Sequence, residues 1–79
     1  MTVKQRTPHS FGQAVRELRV ARGLTQEELA DDAGLDRSYI GGVERGERNP
    51  SLSVIEKIAE GLDVTLAELF SYSAAGPRA

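Results

Sequence analysis

The chain has no cysteine and no tryptophan, and only one histidine, His9, in its 79 residues. Disulfides are therefore excluded, and a Cys/His zinc site has no ligands. No apolar run approaches the roughly 18–20 residues of a membrane span, and the N-terminus lacks the apolar stretch of a signal peptide. The expectation is a cytoplasmic protein with no membrane contact. Seventy-nine residues allow one domain with one modest core, of the size that supplies about 3–5 kcal/mol. Self-association is the remaining route to further stability.

Charge is neither strongly basic nor strongly acidic, with a net of −2. Its distribution says more than its sum. Residues 1–24 carry Lys4, Arg6, Arg16, Arg19 and Arg22 against Glu17 alone. Residues 25–36 carry five acids and no base, and residues 37–50 return to +1. Such a balance predicts weak non-specific attraction to nucleic acid, so that tight binding would need specific docking of more than one copy.

Catalytic chemistry has little to work with. His9 has no neighbouring base or nucleophile, and the acids fall at helix starts or on solvated faces, where they serve caps and dipoles. The pair Gly41-Gly42 lies inside a helical pattern rather than between a strand and a helix, so it is not a phosphate loop. The expectation is no enzyme, no cofactor and no metal.

What is present is helical periodicity with clear stop and start signals. Residues 1–9 have no apolar pattern and contain Pro8, which predicts a mobile tail. Ser10 is a candidate N-cap for a first helix over about 10–22, with Phe11, Ala14, Val15, Leu18 and Ala21 at helical spacing and Gly23 as its left-handed terminator. Thr25 and Glu28 form a capping box that opens a second helix, with Leu29, Ala30 and Ala33 inside and Gly34 in the following turn. Asp36 can cap a third helix with Ile40 and Val43 inside and Gly46 at its end. Ser51 caps a fourth, with Leu52, Ile55, Ile58, Ala59 and Leu62 at three- and four-residue spacing and Gly61 near its end. Thr65 and Glu68 repeat the capping box and open a fifth helix over about 65–71, and residues 72–79 read as a frayed tail. Five short helices in residues 10–71 make a compact all-α domain.

The segment TQEELADDAGLDRSYIGGVERGERN, residues 25–49, is the informative one. Two short helices joined by a glycine-containing turn make a helix-turn-helix, over about residues 25–45, whose second helix can enter a DNA major groove. Gln26 stands beside the free amides of a helix N-terminus, which favour a phosphate. Arg37 and Ser38 occupy the first turn of the third helix. An arginine there can bind guanine O6 and N7, and a serine a base edge or a phosphate. Tyr39 can stack on a thymine methyl or belong to the core. Arg48, Asn49 and Ser51 lie where a loop can meet phosphates. Glu44 falls on the inner side of its helix, as partner for Arg19 or Arg16.

The run from Leu18 to Leu52, LRVARGLTQEELADDAGLDRSYIGGVERGERNPSL, resembles the Xre/lambda-repressor-like helix-turn-helix family, and its DRSYIGGVERGERN part looks most like the controller proteins of restriction–modification systems. The resemblance implies a five-helix DNA-binding fold and a homodimer on double-stranded DNA with a pseudo-palindromic operator. It implies that Arg37, Ser38 and Tyr39 read bases and that Gln26, Arg48, Asn49 and Ser51 meet the backbone. It further implies a structural pair of Arg19 with Glu44 and a dimer interface of Val64, Leu66, Leu69 and Phe70. One departure stands out: Gly42 falls where many relatives carry a polar base-reader. An activating member of this family would also contact RNA polymerase, and no small-molecule effector is expected. Two other readings stay open, an antitoxin-like regulator acting with a partner protein and a protein-interaction module without DNA binding.

Overall fold

The computed structural model describes residues 8–75 and contains five helices. These are α1 (Pro8–Ala21), α2 (Gln26–Ala33), α3 (Arg37–Glu44), α4 (Leu52–Leu62) and α5 (Leu66–Ala75). No strand occurs among the described residues. The fold is the expected all-α one.

Local sequence accounts for most helix boundaries. Thr25 Oγ1 accepts from the Glu28 amide at 3.0 Å, and the Glu28 carboxylate accepts from the Thr25 amide at 2.9 Å. Thr65 and Glu68 repeat the arrangement at 3.0 and 2.8 Å. Ser51 Oγ accepts from the Val54 amide at the start of α4. Gly34 closes α2 in the left-handed conformation (φ 69°), and the Leu35 amide then reaches back to the Ala30 carbonyl. Only a residue without Cβ takes that φ at little cost, and it swings the chain sharply into α3.

Four boundaries differ from the sequence expectation. First, α1 starts at Pro8, inside the segment expected to be tail, and Ser10 lies within the helix rather than at its cap. Proline suits the first helical position, where its missing N–H has no partner to lose. The remaining residues of that expected tail, 1–7, lie outside the described residues. Second, α5 continues to Ala75, past the expected end at 71, because nothing in Ser71 to Ala75 breaks a helix. Third, α4 is terminated by Asp63 in the left-handed conformation (φ 59°), a terminator not read from the sequence, while Gly61 lies near the helix end as expected. Fourth, Asp36 occupies the N-cap position of α3, but its carboxylate makes no capping bond and instead accepts from the Ser38 hydroxyl.

The core is a single cluster from all five helices, including Phe11, Val15, Leu29, Ile40, Val43, Ile58, Leu62 and Leu69. Packing is closest where glycines face other helices. A Cβ on Gly12 of α1 would stand 2.0 Å from the Val43 carbonyl oxygen and 2.8 Å from that of Glu44. The first helix therefore rests directly on the backbone of the last turn of α3. Gly61 plays a similar part in α4, where a Cβ would meet Leu29 at 2.8 Å and Ala33 at 3.3 Å. Both glycines are packing residues.

Leu69 requires a further correction. Proposed from the resemblance as a dimer contact, it is fully buried (0% exposed) inside the single chain. A side chain with no surface cannot meet a second copy. Val64 and Leu66 pack partly against the same core, and Phe70 is half-buried. Among the described residues, the exposed large apolar side chains are Val20, Leu52 and Tyr72, none of them in the expected set.

Candidate nucleic-acid interface

Helices α2 and α3, joined at Gly34, form the helix-turn-helix, and α3 presents its first turn outward. Arg37 and Ser38 are exposed there. Tyr39 is half-buried and packs partly against the core.

Beneath this surface lies a polar network centred on Glu44, which is buried with only 3% of its side chain exposed. Arg19 Nε donates to Glu44 Oε2 at 2.6 Å and Arg19 Nη2 donates to Oε1 at 3.1 Å, a two-pronged pair of the strong kind. The third arginine nitrogen, Nη1, donates to the Leu24 carbonyl at 2.8 Å. The structure thus chooses Arg19 over Arg16, which is exposed. Removing one member of such a pair leaves the other charge uncompensated, which is why both residue types are required.

Gln26 completes the network. Its Nε2 donates to Glu44 Oε1 at 2.9 Å, and its Oε1 accepts from Arg37 Nη1 at 3.4 Å. The amide is oriented by the buried carboxylate, so its oxygen faces the arginine. Gln26 therefore links the core pair to the exposed residue at the head of α3, a role the sequence did not reveal. These residues border an open hollow of about 420 Å³ at the start of α2, lined among others by Thr25, Gln26 and Arg37. Its chemistry suits an anion: the amides of a helix N-terminus, a side-chain amide and a guanidinium, with Glu27 as an opposing charge on the rim.

On the other side of α3, Arg48 lies over the Tyr39 ring, its guanidinium carbon 5.7 Å from the centroid. Asn49 and Ser51 are exposed in the loop before α4, although Ser51 already serves as a helix cap. Arg45, not among the expected site residues, is exposed beside them and donates to Glu47 at 3.1 Å. That hydrogen bond, reinforced by the charge, holds the Glu47 carboxyl below its ordinary range and raises the Arg45 guanidinium above its own. A paired Arg45 is a weaker anchor for phosphate than Arg37 or Arg48. Its proximity to Glu47 was the available signal. Among the described residues, no group of three or more His, Cys, Asp or Glu side chains could hold a metal ion, and no helix is long and apolar enough to cross a membrane.

The helix-turn-helix family model matches residues 15–69. The chain belongs to that family. It is 43% identical over 67 residues to the control protein C.BamHI of Bacillus amyloliquefaciens, covering 84% of this chain and 83% of that protein. The crystal structure of the restriction–modification controller C.AhdI from Aeromonas hydrophila superposes with a TM-score of 0.78 at 60% identity, covering 80% of this chain and 96% of that one. The controller C.Esp1396I, solved as a tetramer with its natural 35 base-pair operator, superposes with a TM-score of 0.84 at 32% identity, covering 91% of this chain and 95% of that one. Helices α2 and α3, the helix-turn-helix itself, lie within the matched residues.

Proposed function

We propose that the protein is a sequence-specific DNA-binding transcription regulator that acts as a homodimer, of the type that restriction–modification systems use as controllers. The observation that carries the reading is the first turn of α3. Arg37 and Ser38 are exposed there, on a helix held by backbone contact with α1 and by the Glu44 network. A guanidinium so placed is suited to a guanine edge, and Ser38 and Tyr39 to neighbouring bases or phosphates. Gln26, Arg48, Asn49 and Ser51 flank that turn and serve the DNA backbone. Gln26 reaches a phosphate with the Nε2 hydrogen that Glu44 leaves over. Relatives named as control proteins, and a controller solved on its operator, support the same assignment.

Pairing follows from charge and size. The acids of α2 (Glu27, Glu28, Asp31, Asp32) are exposed beside the reading helix and weaken any single docking event. Two copies related by a two-fold axis place two reading helices in major grooves about 10–10.5 bp apart, or a multiple of that. Of the residues first expected at the interface, Val64, Leu66 and Phe70 retain exposed surface for this purpose. Control is then exerted by occupancy of the operator, and no catalytic step is involved.

Selection of bound fragments from a random DNA pool tests the reading. A two-fold symmetric motif is expected. Arg37→Ala should weaken binding to it by about 1–3 kcal/mol at fixed salt and relax preference at one position in each half-site. Absence of any enriched motif would refute the function, and unchanged affinity in the variant would refute Arg37 as a reader.

A further inference from the structure

Gly42 is buried in the middle of α3, where a glycine costs a helix about 1 kcal/mol relative to alanine. What buries it is Arg48. An ideal Cβ on Gly42 would lie 2.8 Å from Arg48 Cγ, 3.4 Å from Nε and 3.7 Å from Cδ. The stem of Arg48 thus runs across α3 through the volume that any other residue at 42 would fill. The backbone cooperates: the chain reverses at Gly46 (φ 79°), and the Glu47 amide donates to the Gly42 carbonyl at 2.8 Å. Residue 42 therefore anchors the returning loop through its carbonyl and admits the loop's arginine through its missing side chain. From this slot Arg48 reaches the Tyr39 ring, within the distance at which a guanidinium is attracted to an aromatic face. Ser38 and Tyr39 precede Gly42 by four and three residues, so all three share one face of the helix.

We propose that Gly42 is a positioning residue of the DNA-reading surface, because its missing side chain leaves the slot that fixes where the Arg48 guanidinium sits. The inference rests on the DNA-binding reading above and deepens it. A side chain at 42 and a clamped Arg48 exclude one another. With no side chain at 42, the loop supplies a pre-set cation at this place. Holding Arg48 in place before DNA arrives removes part of the ordering cost of its contact.

The test compares wild type, Gly42→Ala, Arg48→Ala and the double variant on the DNA motif selected by the wild-type protein, at fixed salt. Thermal melting is recorded beside it, and so are the Arg48 side-chain proton shifts in the DNA-free protein. Gly42→Ala should still fold, since the gain in helix propensity offsets the turn about its Cα–Cβ bond that Arg48, displaced at Cγ, must make. It should bind about tenfold more weakly, the size of one charge-assisted contact. The double variant should bind no worse than Arg48→Ala, and the Arg48 δ protons should lose the upfield shift caused by the Tyr39 ring. Wild-type affinity in Gly42→Ala would overturn the proposal. So would a double variant whose loss is the product of the two single losses, because position 42 would then act independently of Arg48. Gly42→Ser repeats the comparison with a second side chain. If the wild type selects no motif, the DNA-binding reading falls, whereas the proton shifts still decide whether Gly42 places Arg48.

Discussion

Gly12→Ala gives the sharpest test of how this fold is held. In an unconstrained helix the change would stabilise by about 1 kcal/mol. Here the new methyl would lie 2.0 Å from the Val43 carbonyl oxygen, 2.8 Å from the Glu44 oxygen and 2.9 Å from the Glu44 carbonyl carbon, whereas ordinary contact begins at 3.4 Å. All three atoms are backbone, so no rotamer change relieves the overlap. The first helix must move away from α3 by more than an ångström, and Phe11 and Val15 on the same helix lose their fit in the core. Overpacking of this kind costs about 1–3 kcal/mol, and more where nothing can yield. With backbone on the receiving side, a net loss of at least about 2 kcal/mol is expected, out of the roughly 3–5 kcal/mol available to so small a core. For a domain of this length the melting temperature should fall by roughly 8–16 °C. Thermal and urea unfolding followed by circular dichroism measure it. Gly61→Ala provides a graded comparison, because it presses on the Leu29 methyl and Ala33 and should cost less. A melting temperature for Gly12→Ala equal to or above wild type would refute the argument that α1 rests on the α3 backbone.

Two further outcomes follow from the polar contacts. Glu44→Gln leaves the Arg19 guanidinium without its carboxylate and should cost about 3–5 kcal/mol. The chain should then be largely unfolded at room temperature, and native-like melting would contradict the network described. The Tyr72 hydroxyl donates to Glu17 at 2.8 Å, and this bond to a carboxylate raises the phenol above its ordinary range. A raised folded-state pKa means that the α1–α5 clasp contributes below the unfolded phenol value of about 10 and is lost as pH rises through the higher folded value. Ultraviolet titration of tyrosine ionisation should show a late phenol that moves earlier in Glu17→Gln; an unchanged titration would rule out the clasp.

The sequence was most legible where structure is decided by neighbours along the chain. The Thr25–Glu28 and Thr65–Glu68 boxes, the Ser51 cap and the Gly34 turn all depend on residues within a few positions of one another. The same holds for Arg37 and Ser38, whose exposure follows from standing in the first turn of a short amphipathic helix. What escaped depends on contacts between distant segments. Gly12 carries no local sign that Val43 lies against it, and Gly61 none that Leu29 and Ala33 of α2 do. Leu69 could be a core or an interface residue by periodicity alone, and only the closing of α5 over the core decides for the core. Gln26 at a helix start suggests a free amide seeking phosphate. That Glu44, eighteen residues away, occupies one of its hydrogens is a property of the fold.

The contact of Gly12 with the backbone of Val43 and Glu44 has a consequence for how such a protein can change. The aim of α3 is set by main chain against main chain, so it does not depend on the identity of the side chains that α3 displays. Residues 37 and 38 can be exchanged without retuning the mount that carries them. New operator preferences are then reachable by single substitutions on an unaltered frame. Drift at residue 12, far from any proposed DNA contact, would instead disturb every specificity the frame could carry.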